Sequence, residues 1–220
     1  MVRDDDTPGA ERVPPQPQPH PFAIELAERL AAEPGARVLV LGVGNGRNVP
    51  PLVAAGLRVA AVEEDPERAR GAAARFAAEP AVRIVRARYA GPYPFAGGCA
   101  GALSTSALLH GTLASAGAAV AAVRARLRPG APFFATFGSR RDPRFGAGTR
   151  IDDATYAPTD GGEAGVPHLY CDEPALRALL AGFGSLDLRE GSAAETAGAW
   201  AHAPGEAAGL RHWFVRAFRA

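Results

Sequence analysis

The sequence predicts an α/β fold: a doubly wound, mostly parallel sheet of about seven strands with an antiparallel strand at its C-terminal end. Three observations predict it. The aliphatic run Val38 to Leu41 leads directly into Gly42, Gly44 and Gly46. A second apolar run, Leu57 to Val62, ends on Glu63, about twenty residues beyond those glycines. Strand-length apolar runs then alternate with helix-length amphipathic stretches as far as Phe137, the pattern of parallel strands joined by right-handed crossovers.

Residues 1–20 carry Asp4-Asp5-Asp6 and a Pro-Gln-Pro-Gln-Pro stretch with almost nothing apolar, and read as a disordered, Pro-rich tail. The folded domain is expected over 21–220. Phe22, Leu26 and Leu30 give a helix from Phe22 to Ala32 its apolar stripe, and Pro34-Gly35 ends it. Val38 to Leu41 reads as a strand buried on both faces. After the glycines, Asn48 stands at a helix N-cap position, with Pro50 and Pro51 in a first turn that tolerates them.

The second strand, Leu57 to Val62, runs into Glu63-Glu64-Asp65-Pro66, where Asp65 and Pro66 are placed to start a helix that stops at Glu79-Pro80. Val82 to Arg86 is a third strand and Ala100 to Ser104 a fourth. A long helix after Thr112 carries Val120, Val123 and Leu127 on one face and ends at Arg128-Pro129-Gly130; Pro132 to Phe137 is a fifth strand. From Gly138 to Gly165 the chain is rich in Gly, Asp, Arg and Thr without periodicity, so an irregular substrate loop is expected over about 138–170. Asp172 caps a further helix through Leu180. Leu186 to Arg189 and His212 to Phe218 read as a last antiparallel pair, with Ser192 to Gly209 an excursion between them.

Composition narrows the function. A net charge of +1 over 220 residues gives no basic face for general nucleic-acid binding. No stretch approaches the roughly 20 apolar residues of a membrane span, and the amino terminus lacks the apolar core of a signal peptide, so a cytoplasmic location is expected. Cys99 and Cys171 form no C-x-x-C pair, and the histidines show no metal-ligand spacing. Neither a disulfide framework nor a metal site is therefore expected.

The stretch Arg37-Val-Leu-Val-Leu-Gly-Val-Gly-Asn-Gly-Arg-Asn48 carries the chemistry. A glycine loop after a buried parallel strand lies where open α/β sheets bind ligands, and backbone there must approach something closely. The dinucleotide fingerprint is G-x-G-x-x-G; here the pattern is G-x-G-x-G, with Arg47 at the third-glycine position, which counts against a nicotinamide-dependent oxidoreductase. Glu63 stands at the distance from which a carboxylate accepts from ribose hydroxyls, although an acidic group there also suits the start of the following helix.

The order of elements from Arg37 onward, the G-x-G-x-G loop and Glu63 resemble class I S-adenosylmethionine (SAM)-dependent methyltransferases of the small-molecule type, with their Rossmann-like sheet. The resemblance implies that Gly42, Gly44, Asn45, Gly46 and Asn48 surround the methionine part of SAM and that Glu63 holds the ribose. It implies also that Glu64 and Arg88 lie toward adenine, and that Ser104 and Thr105 line the cofactor floor. Three positions depart from the family pattern: Val40 and Ala100 replace acidic residues, and Arg88 stands where an Asp often accepts from the adenine amino group.

His110, after the fourth strand, is a candidate general base because histidine titrates near neutrality; a capping or core histidine is the equal alternative. His168 closes the irregular loop as a second catalytic candidate, with Tyr170 beside it; Arg144 and Tyr170 are substrate-binding candidates. Arg150, Asp152 and Asp153 read as solvated loop charges, and His212 as a core residue. The implied function is methyl transfer from SAM to an O, N or S of a small molecule. The alternative, motivated by Val40, Arg88 and Ala100, is a catalytically inactive methyltransferase-fold protein that binds or scaffolds. Oligomeric state is not legible in the sequence.

Overall fold

The computed structural model describes residues 18–196 and 209–220. The expected tail over residues 1–17, and Trp200 and His202 in the expected excursion, lie outside the described residues. In chain order the elements are α1 (Pro21–Leu30), β1 (Arg37–Leu41), α2 (Val49–Ala54), β2 (Arg58–Glu63), α3 (Pro66–Arg75), β3 (Val82–Arg86) and β4 (Gly101–Ser104). They continue as α4 (Leu113–Arg126), β5 (Pro132–Ser139), β6 (Thr149–Arg150), β7 (Thr155–Ala157), β8 (His168–Cys171), α5 (Glu173–Leu179), β9 (Phe183–Ser192) and β10 (Arg211–Arg219).

The main sheet runs β3-β2-β1-β4-β5 in parallel, then β10 and β9 antiparallel. Strand order reverses between β1 and β4, so a crevice opens at their carboxyl ends, where ligands of such sheets bind. Side-chain alternation divides the core into two layers. Val38 and Val40 join Phe22, Leu26, Leu52 and Phe134 on the α1–α2–α3 side. Leu39 and Leu41 join Val120, Val123, Leu127 and Phe133 on the α4–α5 side.

Local chemistry sets the helix starts. Asp65 accepts from the Glu67 and Arg68 N–H groups and so caps α3; Thr112 and Ser115 form a reciprocal capping box at α4. Two expectations are corrected here. His20, assigned to the tail, is buried and N-caps α1, its Nδ1 accepting from the Phe22 N–H at 3.1 Å. Asn48 precedes α2 with helical dihedrals and makes no side-chain cap. It spans two elements instead: its Oδ1 accepts from the His20 N–H at 2.9 Å and its Nδ2 donates to Thr105 Oγ1 at 2.8 Å.

The expected irregular loop contains three short strands. β4 stops at Ser104, opposite Ala135, while β5 continues to Ser139. β8 takes the vacated edge, pairing Gly138 with Tyr170 and Ser139 with Cys171, and β7 and β6 add to it antiparallel. The result is a flap standing over the carboxyl end of the sheet. β9 and β10 also extend beyond the apolar runs that mark them, because their pairing continues from Phe183 to Ser192.

Candidate active site

The crevice between β1 and β4 opens into a cavity of about 830 Å³, within the range of small-molecule sites. The glycine loop forms one wall and the flap the other. Gly44, at φ +51°, has open space where a Cβ would stand, so backbone alone faces the cavity there. Gly42 and Gly46 serve packing: a Cβ would lie 2.3 Å from the Ala107 Cβ and 2.4 Å from the Phe76 ring respectively. Asn45 lines the cavity and its Oδ1 accepts from the Arg47 N–H at 3.1 Å.

Glu63, at the end of β2, is 2% exposed. Its Oε2 accepts from the Gly44 N–H at 3.0 Å, and its Oε1 from the Asp65 N–H at 3.2 Å and the Tyr89 hydroxyl at 3.0 Å. Burial, and then the Glu63 carboxylate beside it, push the Tyr89 phenol well above its ordinary range, so it stays a donor. Glu64 accepts from the Tyr89 N–H. A second cavity of about 390 Å³ lies behind, lined by Glu64, Arg88, Tyr89, Leu108 and His110 among others. Arg88 borders only this smaller cavity.

Arg47 lines the main cavity and is 8% exposed; its Nη1 is buried without a hydrogen-bond partner among the described residues. Burial lowers the guanidinium's proton affinity. Ser106, next to Thr105 on the cavity wall, holds a left-handed backbone (φ 62°), with its N–H donated to Thr136 Oγ1 at 2.8 Å. Such strain in a non-glycine residue collects at functional sites.

At the far end of the cavity His110 and His168 face each other across an isolated antiparallel bridge. The bonds Leu169 N–H to Leu109 O (2.7 Å) and Gly111 N–H to Pro167 O (2.9 Å) fix that pairing. Glu163, on the turn before β8, places Oε2 at 3.0 Å from His168 Nε2 and Oε1 at 3.5 Å from His110 Nε2. Hydrogen bonding to His110, then to His168, holds the Glu163 carboxyl far below the usual carboxylate range. Arg144 also lines the cavity, held by Asp142, whose Oδ1 accepts from Arg144 Nε at 3.1 Å.

Several sequence assignments lie elsewhere. Ser104 is fully buried, its hydroxyl has no partner among the described residues, and it does not line the cavity. Tyr170 is buried against Phe145, with burial pushing its phenol up to about 12, and is likewise outside the cavity lining. Arg150 pairs with Asp153 on the exposed flap tip, and Asp152 caps a turn at Ala154. Conversely, His212 is buried as a core residue yet borders the cavity, and burial above all lowers its imidazole to about 4. Arg47, Tyr89 and Glu163 carry no motif signal. Glu163 reaches the two histidines only through the flap.

No protein-family model and no curated protein matches the sequence. Solved structures do. The methyltransferase CcbJ from Streptomyces caelestis aligns with a TM-score of 0.60 at 22% identity, over 92% of this chain and 91% of that one. The 1,6-didemethyltoxoflavin-N1-methyltransferase of Burkholderia thailandensis, with bound 1,6-didemethyltoxoflavin and S-adenosylhomocysteine (SAH), aligns at 0.59 and 21% identity, over 90% and 79%. The [4+2]-cyclase SpnF aligns at 0.63 and 19% identity, over 90% and 79%. The chain is similar to these proteins in fold.

Proposed function

We propose that this chain, which has the class I Rossmann-like methyltransferase fold, binds SAM in the cavity between β1 and β4 and transfers its methyl group to an O, N or S of a small molecule. The observation that carries this reading is Arg47, a buried guanidinium with Nη1 unpartnered among the described residues, opening on the same cavity as Gly44 and Glu63. Leaving such a group unpaired is costly, and an anion beside it removes the cost. The amino-acid end of SAM carries that anion, its carboxylate.

Gly44 supports close backbone approach, and Glu63 offers a buried carboxylate to the ribose hydroxyls. Glu64 and Arg88 border the smaller cavity beside it, where they would meet adenine. Bound SAM would supply a methyl carbon already activated by a sulfonium. The chain must then hold the acceptor in line, which is worth up to about 7–11 kcal/mol of the barrier, and take up the acceptor's proton. The His110 and His168 imidazoles lie together at the acceptor end for that task, held by Glu163, with Arg144 beside them.

Thermal unfolding with three ligands tests the proposal. Ligand at about 100-fold over its Kd stabilises the folded chain by about 2.7 kcal/mol. SAM and SAH are expected to raise the melting temperature, and NAD⁺ to leave it unchanged. A shift with NAD⁺, or none with SAH at millimolar concentration, overturns it.

A further inference from the structure

We propose that His110, Glu163 and His168 form a divalent metal site, taking Zn²⁺ or a similar first-row ion through His110 Nε2, His168 Nε2 and a Glu163 carboxylate oxygen. Three ligating atoms, one from each residue, lie within 4.8 Å of one another. No sequence spacing announces them. They come from the loop after β4, the turn before β8 and β8 itself.

The hydrogen-bond pattern carries the inference. His168 Nδ1 lies 2.8 Å from the Val166 carbonyl oxygen, which can only accept, so Nδ1 carries a hydrogen. In the neutral ring Nε2 is then a bare lone pair, and it points at Glu163 Oε2 from 3.0 Å. Two acceptors at that distance need a cation between them, either a proton or a metal ion. A carbonyl behind the imidazole is also how metal-bound histidines are held in the ligating tautomer.

The geometry fits a metal. Zn²⁺ bound to imidazole nitrogen and carboxylate oxygen at about 2.0–2.1 Å sets tetrahedral ligand atoms about 3.4 Å apart. His168 Nε2 stands 3.0 Å from Oε2 and His110 Nε2 3.5 Å from Oε1, the two oxygens of one carboxylate, and with one ligand atom taken from each residue all three lie within 4.8 Å of one another, so small side-chain shifts close them on one ion. The two rings meet edge to face at 86°, with centroids 4.9 Å apart, so their Nε2 atoms converge on the carboxylate and the rings do not stack. Two histidines and a glutamate are a ligand set of catalytic zinc, which keeps a fourth position for water or substrate. All three residues line the cavity, so that position opens inward. The nearby Arg144 charge is offset by Asp142.

Metal binding itself does not depend on the methyltransferase reading. Its role does: on that reading the open position would hold an acceptor hydroxyl and lower its proton affinity, the proton leaving to solvent water in place of uptake by His110 or His168, whose Nε2 lone pairs the metal would hold. The acceptor class is therefore a small hydroxylated molecule methylated on oxygen.

The test titrates the full chain, stripped with chelator and free of SAM, with Zn²⁺, and uses Co²⁺ as an optical probe of a low-symmetry site. One equivalent of Zn²⁺ per chain is expected, with a Kd below about 1 μM. His168→Ala and Glu163→Gln are each expected to weaken binding by at least about 100-fold. Because His168 is buried and its loss threatens the fold, His110→Ala, on the cavity wall, is expected to give the same direction with unchanged thermal unfolding. Absence of Zn²⁺ binding, or binding that survives all three replacements, overturns the site. Zn²⁺ binding without SAH binding removes the methyltransferase reading alone, and the converse removes only the metal.

Discussion

The Glu63 carboxylate at the end of β2 accepts a hydrogen bond from the Gly44 N–H at 3.0 Å, closing the glycine loop onto the neighbouring strand. One side chain thus braces the loop and presents charge to the cavity. Hydrogen bonds to a charged group are worth about 1.5–3 kcal/mol, a factor of roughly 10 to 150 in affinity. Glu63→Gln is therefore expected to weaken SAH binding by about that factor in a calorimetric titration. Unchanged affinity would reduce Glu63 to a loop brace.

Arg47 is a buried guanidinium whose Nη1 has no hydrogen-bond partner among the described residues. Replacing it with a similar-sized apolar side chain removes a buried charge and the desolvation cost it carries. Arg47→Met is expected to raise the stability of the ligand-free chain by about 1–3 kcal/mol in urea unfolding. Loss of stability would show that Arg47 is held by interactions the cavity geometry does not reveal.

Gly138 is where the flap joins the sheet. A Cβ there would lie 2.5 Å from the Leu169 carbonyl oxygen, a backbone atom that cannot swing away. Gly138→Ala is expected to displace β8 and cost about 1–3 kcal/mol. Because His168 sits on β8, hydrogen exchange should rise over residues 168–171 while β1 to β3 keep their protection. Uniform loss of protection would contradict a separable flap.

Acid is expected to loosen the α1 end of the fold. Burial, then the nearby Arg47 and His212 charges, lower the His20 imidazole to about 3, against an ordinary value of about 6.5. The unfolded chain then binds a proton that the native chain refuses. This contribution is fully present above about pH 6.5 and is lost as the pH falls toward 3, by roughly 2 kcal/mol at pH 5. His20→Asn keeps a capping acceptor without the titration, so its stability should fall less steeply between pH 7 and pH 5. An identical slope would contradict the assignment.

What could be read in the sequence was local. The Val38 to Leu41 run, the glycine loop and the Asp65 cap each arise from neighbours in the chain, and the structure shows each of them. The flap was not legible, because β6, β7 and β8 span two to four residues each and owe their order to pairing with β5 and with one another. The site divided the same way. Glu63 had a spacing to announce it, whereas Glu163 lies in a Gly-rich turn far in sequence from His110. Ser104 does not reach the cavity because a strand end looks alike from either face, and here the hydroxyl is fully buried. Arg47 was counted only as a missing glycine, since its burial depends on the packing of residues distant in sequence.

The most direct test of the central claim is a calorimetric titration of the wild-type chain and Arg47→Met with SAH. One site per chain is expected on the wild type, with micromolar affinity, and binding at least about tenfold weaker in the variant. No heat with the wild type at millimolar SAH, together with an unchanged melting temperature, would contradict it.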